Sequence, residues 1–124
     1  MITRTLVRLS AAIEAATGVA LIVAPDFVVR LLLGAELSGS GIAVARVAGI
    51  GLLSLGLACW PTAGNATPSA VRVLFAYNLL AALYLGYLRV GGGFVGVLLW
   101  PACLLHALLA LLLGWRILRG LAES

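Results

Sequence analysis

The feature that most constrains the fold is a series of four apolar segments, each long enough to cross a lipid bilayer. A helix needs about 20 apolar residues to span the hydrocarbon core. The predicted spans cover residues 6–24, 42–60, 70–90 and 94–118. Because backbone polar groups in lipid must be satisfied within the segment, each span is predicted to be helical. The predicted fold class is all-α, a polytopic four-helix membrane bundle that forms one integral membrane domain over residues 1–124.

The composition supports the same interpretation. Hydrophobic residues make up 64% of the chain and charged residues only 10%, whereas soluble domains are about 45–50% apolar and about 25% charged. Such a chain cannot cover a surface that faces water, and the net charge of +4 does not point to nucleic acid. The lipid bilayer is the expected environment.

The distribution of arginines predicts the orientation in the membrane. All eight basic residues are arginines, and most lie near the ends of the spans. Cytoplasmic loops of membrane proteins carry an excess of Lys and Arg. We predict a multi-pass protein of the bacterial inner membrane with both termini in the cytoplasm. The arginines assigned to the inner face are Arg4, Arg8, Arg72, Arg116 and Arg119, and those assigned to the outer face are Arg30, Arg46 and Arg89.

A short helix is predicted between the first two spans. Pro25 is typical of a first helical position, and Gly34 is typical of the residue just past a helix end. The segment 25–33 is too short to cross the bilayer, so we expect it to lie in the interface. The third span has a comparable start signal, since Thr67 is a good N-cap and Pro68 suits the first turn.

Small residues and one proline predict how the spans pack. Gly49 and Gly56 are seven residues apart and therefore lie on one face of the second span, which favours close helix contact. Pro101 falls inside the predicted fourth span. It is expected to kink that helix and free the carbonyl of Val97.

Polar residues interrupt all four apolar spans, and those assigned to a common site are Glu14, Arg46, Asn78 and His106. An ionisable group inside a span costs roughly 2.5–3.5 kcal/mol on insertion scales, so such groups usually face the bundle interior. With a rise of about 1.5 Å per residue, the four side chains can reach one central region. We predict that they form a ligand or proton site.

Three interpretations of Glu14 are open. It could be neutralised by Arg46 or His106 as a structural clamp between helices, because buried charges are normally paired. It could bind a proton or a cation in a small transporter. It could instead line a pocket for a lipid or another apolar ligand together with Asn78 and His106, with acid–base chemistry as a further option.

Other residues are assigned supporting roles. Tyr77, Tyr84 and Cys103 are predicted to line a cavity beside the polar residues, although core packing is the simpler alternative for each. Cys103 and Cys59 lack the spacing of a metal or redox motif. No soluble catalytic motif is present. We therefore assign no catalytic residue, no metal and no cofactor.

Two stretches resemble known families. The segment "AAIEAATG", which contains Glu14 and Gly18, looks like the first helix of the small multidrug resistance transporters. That resemblance covers one helix and implies that Glu14 would bind cationic drug and protons. In the segment "GVALIVAPDFVVRLLLG", a first helix is followed by a proline and a short interfacial helix that ends in Leu-Leu-Gly. With this segment, the layout of the whole chain resembles the DoxX-like and other uncharacterised small four-helix bacterial membrane proteins. This second resemblance covers most of the chain and implies the layout of helices, but it implies no activity.

The preferred function is non-enzymatic. We expect a small membrane protein that binds an apolar or amphipathic ligand, or that serves as an accessory subunit of a membrane complex. A proton-coupled small transporter working as a dimer is the first alternative, and a membrane-embedded lipid-modifying enzyme is the second. The expected partners are the lipid bilayer, an apolar small molecule or lipid, and a homo-oligomer or larger membrane complex.

Overall fold

All regular secondary structure in the described part of the chain is helical. A computed structural model describes residues 2–62, 64 and 66–122. The helices are α1 (Ile2–Val23), α2 (Pro25–Leu33), α3 (Gly39–Ala58), α4 (Pro68–Val90) and α5 (Leu99–Ala122). All but α2 are long and apolar enough to cross a membrane. The prediction of an all-α membrane bundle with four spanning helices is confirmed.

Local capping signals set the helix boundaries. Helix α2 begins and ends as predicted, with a proline at its start. Gly34 follows it with φ 70°, and its N–H donates to the carbonyl of Arg30; glycine adopts this left-handed conformation without steric cost. At the start of α4, the Thr67 hydroxyl accepts a hydrogen bond from the N–H of Ala70. Both caps therefore act as the sequence indicates.

Helix α5 starts later than predicted. The expected start was residue 94, but the segment 94–98 is not helical and α5 begins at Leu99. Pro101 consequently lies in the first turn, where a backbone N–H would have no partner within the helix. The prediction that Pro101 kinks the helix is wrong, because the proline lies near the helix start.

The loop between α4 and α5 holds α2 in place. The N–H of Leu98 donates to the carbonyl of Leu31 at 2.9 Å. Gly96 lies directly against the backbone of Leu32, and a Cβ atom at this position would collide with it. Only glycine fits there, so α2 and this loop form a joint cover over one end of the bundle.

The spanning helices are arranged as two pairs, α1 with α3 and α4 with α5. Within the first pair the backbones touch. A Cβ on Gly56 would lie 2.5 Å from the carbonyl oxygen of Ala11, and a Cβ on Gly49 would lie 2.7 Å from that of Gly18. The predicted glycine face of the second span is confirmed as the surface that packs on α1.

A compact apolar core joins the two pairs at the end of the bundle where α1 begins and α5 ends. Its side chains come from both pairs and from the turn after α3. The buried residues of this core are Val7, Ala11, Cys59, Ala70, Val71, Leu74 and Leu113.

Candidate ligand-binding site

A buried cluster of polar side chains lies where the two helix pairs meet. Glu14 and Ser10 come from α1, Asn78 from α4 and His106 from α5. Glu14 is 1% exposed, and Ser10 and Asn78 are fully buried. The side chain of His106 retains 12% exposure. The cluster therefore ties the α1–α3 pair to the α4–α5 pair through polar contacts.

Asn78 organises this cluster through three hydrogen bonds. Its Nδ2 atom donates to the carbonyl of Leu74 at 2.8 Å and to the hydroxyl of Ser10 at 2.9 Å. Its Oδ1 atom lies 2.8 Å from Nδ1 of His106. Because the carbonyl of Leu74 can only accept, the nitrogen of the amide must face it. Oδ1 of Asn78 is therefore the acceptor for His106, and Nδ1 of that ring carries the hydrogen.

Glu14 is less completely satisfied than its neighbours. Its Oε1 atom lies 3.9 Å from Nδ1 of His106 and has no hydrogen-bond partner among the described residues. The Tyr77 side chain interacts with the carboxyl group. The Tyr77 ring also packs edge-on against His106, with ring centroids 5.8 Å apart and planes at 78°. These two aromatic side chains thus stand beside the buried carboxyl group.

A cavity of about 770 Å³ adjoins the polar cluster. Its walls come from α1, α4 and α5, with a small contribution from α3, and its lining is predominantly apolar. His106 of the cluster lines it together with the neighbouring Tyr77, whereas Glu14 lies behind these two side chains. Helix α2 closes one side with Phe27, Val28, Leu31 and Leu32.

Three of the four residues predicted to converge do so. Glu14, Asn78 and His106 are brought together, but Arg46 lies exposed on α3. No ion pair between Arg46 and Glu14 is present within the described residues. The physical reason is the backbone contact of α3 with α1 at Gly49, which leaves no space for a long side chain between the two helices.

The residues predicted to line a cavity are found in two places. Tyr77 and Tyr84 both face the cavity between the helix pairs. Cys103 instead packs within the α4–α5 pair, where its Sγ atom donates to the carbonyl of Ala82 at 3.4 Å. It borders a separate apolar groove on the outer surface of that pair.

Two contributions were missed by sequence reasoning. Ser10 was not singled out, although it precedes Glu14 by four residues and so shares its helix face. Helix α2 was expected only to rest in the interface, yet Phe27 and Leu31 line the cavity. Their spacing of four residues on an amphipathic helix was the available signal.

Charged residues on and after α2 mark its water-facing side. Arg30 contacts Asp26 at 2.6 Å and Glu36 at 3.6 Å. The backbone N–H of Leu37 donates to Asp26 at 3.2 Å. This hydrogen bond, together with the charge of Arg30, lowers the pKa of the Asp26 carboxyl group. The helix is therefore anchored by polar contacts on one side and by the cavity on the other, as expected of an interfacial helix.

Comparisons with known proteins leave the site to be interpreted from its own geometry. No family model matches the chain, and no characterised protein or solved structure gives a significant match. Within the part of the chain that the structure describes, no group of three or more metal-ligating side chains comes together. The arrangement is that of an apolar pocket with a few convergent polar groups, which is typical of small-molecule sites.

Proposed function

We propose that this membrane protein binds an apolar or amphipathic ligand in the cavity between its two helix pairs, alone or as a subunit of a larger membrane complex. The observation that carries the proposal is the position of the cavity. It opens between the two helix pairs, its walls are predominantly apolar, and Tyr77 and His106 supply polar atoms at one place on the wall.

The size and the wall chemistry both support this function. Ligand sites typically measure about 300–1,000 Å³ and combine an apolar lining with a few placed polar groups, and the cavity volume of about 770 Å³ falls in that range. A bundle that needed only to be stable would fill such a space with side chains, because protein interiors are close-packed. The open space is therefore attributed to a ligand.

The proposal is tested by photolabelling in lipid nanodiscs. A long-chain alkyl probe with a diazirine in its chain is expected to label α2 and the cavity-facing residues of α4 and α5, mapped by mass spectrometry. Ala81 lines the cavity, so Ala81→Phe is expected to remove that labelling. The matched control is Ala76→Phe on the exposed face of the same helix. Equal labelling of the cavity in both variants would contradict the proposal.

A proton-coupled transporter that works as a dimer is the second candidate function. It is supported by Glu14, which has an unpartnered carboxyl oxygen inside the bundle and is not paired with Arg46. On this proposal, Glu14→Gln abolishes proton release on substrate addition to the detergent-solubilised protein. Unchanged proton release in the variant removes this candidate.

The placement in a bacterial inner membrane with both termini in the cytoplasm also belongs to the proposal. The support is the arginine distribution, since the bundle end that holds both termini carries five arginines, and such residues favour the cytoplasmic side. Reporter fusions test it. Green fluorescent protein fused to the C-terminus should fluoresce, and alkaline phosphatase at that position should be inactive.

A further inference from the structure

The hydrogen-bond polarity of the polar cluster is fixed by the backbone of α4. Nδ2 of Asn78 is directed at the carbonyl of Leu74, which can only accept. Oδ1 of Asn78 must then accept from His106, so Nδ1 of the imidazole carries a hydrogen. In the neutral ring the other nitrogen, Nε2, is consequently a hydrogen-bond acceptor.

The accepting nitrogen is the one available to a ligand. His106 lines the cavity, and its Nδ1 is engaged with Asn78. Its Nε2 atom has no hydrogen-bond partner among the described residues. Nε2 is also not one of the unpartnered atoms that the surrounding protein shields completely. The histidine therefore offers an acceptor, and no donor, to whatever enters the cavity.

Tyr77 lines the cavity beside His106, and its side chain interacts with the carboxyl group of Glu14. Because a phenol can both donate and accept a hydrogen bond, the direction of hydrogen bonding at this part of the wall is set by His106. An acceptor-only group such as a carboxylate or an ether would face the lone pair of Nε2 and make no hydrogen bond with it.

From this polarity we infer that the polar end of the ligand is an uncharged hydroxyl group of the alcohol class, which donates to Nε2 of His106. The inference rests on the proposed function and specifies its ligand. A charged ammonium end is disfavoured because the cavity is apolar and Glu14, which lies behind Tyr77 and His106, does not line it.

The experiment compares photoreactive probes that share one alkyl chain and differ only at the end group. The set is an alcohol, its methyl ether, a carboxylate and an ammonium, tested on the unaltered protein in phosphatidylcholine nanodiscs at about pH 8, where an ordinary histidine is neutral. The alcohol is expected to label the cavity about 2- to 10-fold more than the ether, the range for one neutral hydrogen bond. The carboxylate and the ammonium are expected to label less than the alcohol.

Two variants test whether His106 causes the preference for the alcohol probe over the ether probe. His106→Phe keeps an aromatic ring but removes the acceptor, so the alcohol and the ether should label equally. Tyr87→Phe removes an aromatic hydroxyl on an exposed face of α4, outside the cavity lining, and should leave the preference unchanged.

The other outcomes contradict either the inferred alcohol group or the proposed ligand binding. Equal labelling of the unaltered protein by alcohol and ether, or stronger labelling by carboxylate or ammonium, overturns the inference while the proposed function stands. Absence of cavity labelling by every probe overturns the proposed function and the inference with it. Because the decisive comparison uses the unaltered protein, a folding defect in His106→Phe leaves the test intact.

Discussion

Two interfaces of this bundle are built on opposite principles. Inside the α1–α3 pair, glycines bring the backbones into contact, and no side chain fits between them at Gly49 and Gly56. Between the two pairs, an apolar core lies at one end, and a buried polar cluster with a cavity beside it lies further along. In lipid, close packing and interhelical hydrogen bonds are the two means of holding helices together. The glycine interface relies on close packing, whereas the interface between the pairs adds hydrogen bonds to its apolar contacts.

The difference separates stability from function. The glycine interface has no polar group to satisfy and no space to fill, so it tolerates little change. The interface between the pairs leaves one oxygen of Glu14 unpartnered and keeps about 770 Å³ open. Substitutions at the two interfaces should therefore have unequal effects on folding and on binding.

The largest effect is expected from filling the glycine contact. Gly56→Leu should destabilise the protein by about 3 kcal/mol or more, because the new side chain meets the backbone of α1. The free energy of unfolding in mixed micelles measures the effect. Gly51→Leu is the matched control, since nothing lies within 4 Å of a Cβ at that position of the same helix. A loss of similar size in the control would show that the contact is not the cause.

A smaller effect is expected from Asn78→Leu. The change leaves Ser10 and His106 without their partner and should cost about 1–3 kcal/mol, the penalty for buried unsatisfied groups. Ser54→Ala is the control, because that hydroxyl bonds only within its own exposed helix face. If Asn78→Leu is as stable as the control, the cluster does not hold the pairs together.

Ala81→Leu, inside the cavity, should change the free energy of unfolding by less than about 1 kcal/mol, because the added atoms enter open space and displace no neighbour. The same measurement in mixed micelles applies. Because Ala81→Leu and Gly56→Leu introduce the same side chain, the difference in their free energies of unfolding reports how tightly each interface is packed. A large destabilisation by Ala81→Leu would show that the cavity walls are as tightly packed as the glycine contact.

The smallest effect concerns α2 and depends on pH. The pKa of Asp26 is lowered in the folded protein by the N–H of Leu37 and by Arg30. The ionised Asp26 carboxylate therefore stabilises the folded protein above the pKa that this group has in the unfolded chain. That stabilisation is lost as the pH falls through the lower pKa of Asp26 in the folded protein, below about pH 4. Asp26→Asn should flatten this part of the pH profile of thermal unfolding. Identical profiles for the unaltered protein and Asp26→Asn would contradict this assignment.

The sequence predicted the helix boundaries and the depth of each residue better than it predicted which helices pack together and which faces they use. Apolar length and caps such as Thr67 and Gly34 are local signals, so the helices and α2 could be predicted. Depth also follows from the rise per residue, which is why Glu14, Asn78 and His106 could be matched. The rotation of each helix about its axis and its choice of neighbour depend on packing across the whole bundle.

Two misplaced residues illustrate that limit. Arg46 has the right depth for the cluster, but α3 turns its glycine face to α1 and leaves the arginine exposed. Pro101 was read as an interior residue because the apolar run continues back to Phe94. Helix α5 starts only at Leu99, where the loop has passed under α2. Neither fact is encoded in the hydropathy of the segment.

The pairing of the helices has a consequence for biogenesis. Each pair is contiguous in the chain, since α1 to α3 come first and α4 and α5 follow. Helices α1 and α3 can therefore pack together through their glycines while the ribosome is still synthesising the rest of the chain. The α4–α5 pair then packs against them. A gene severed between α3 and α4 should yield two co-expressed fragments that assemble in the membrane and co-purify. Gly56→Leu should abolish that assembly, because α1 and α3 of the first fragment would no longer pack into the surface that α4 and α5 bind.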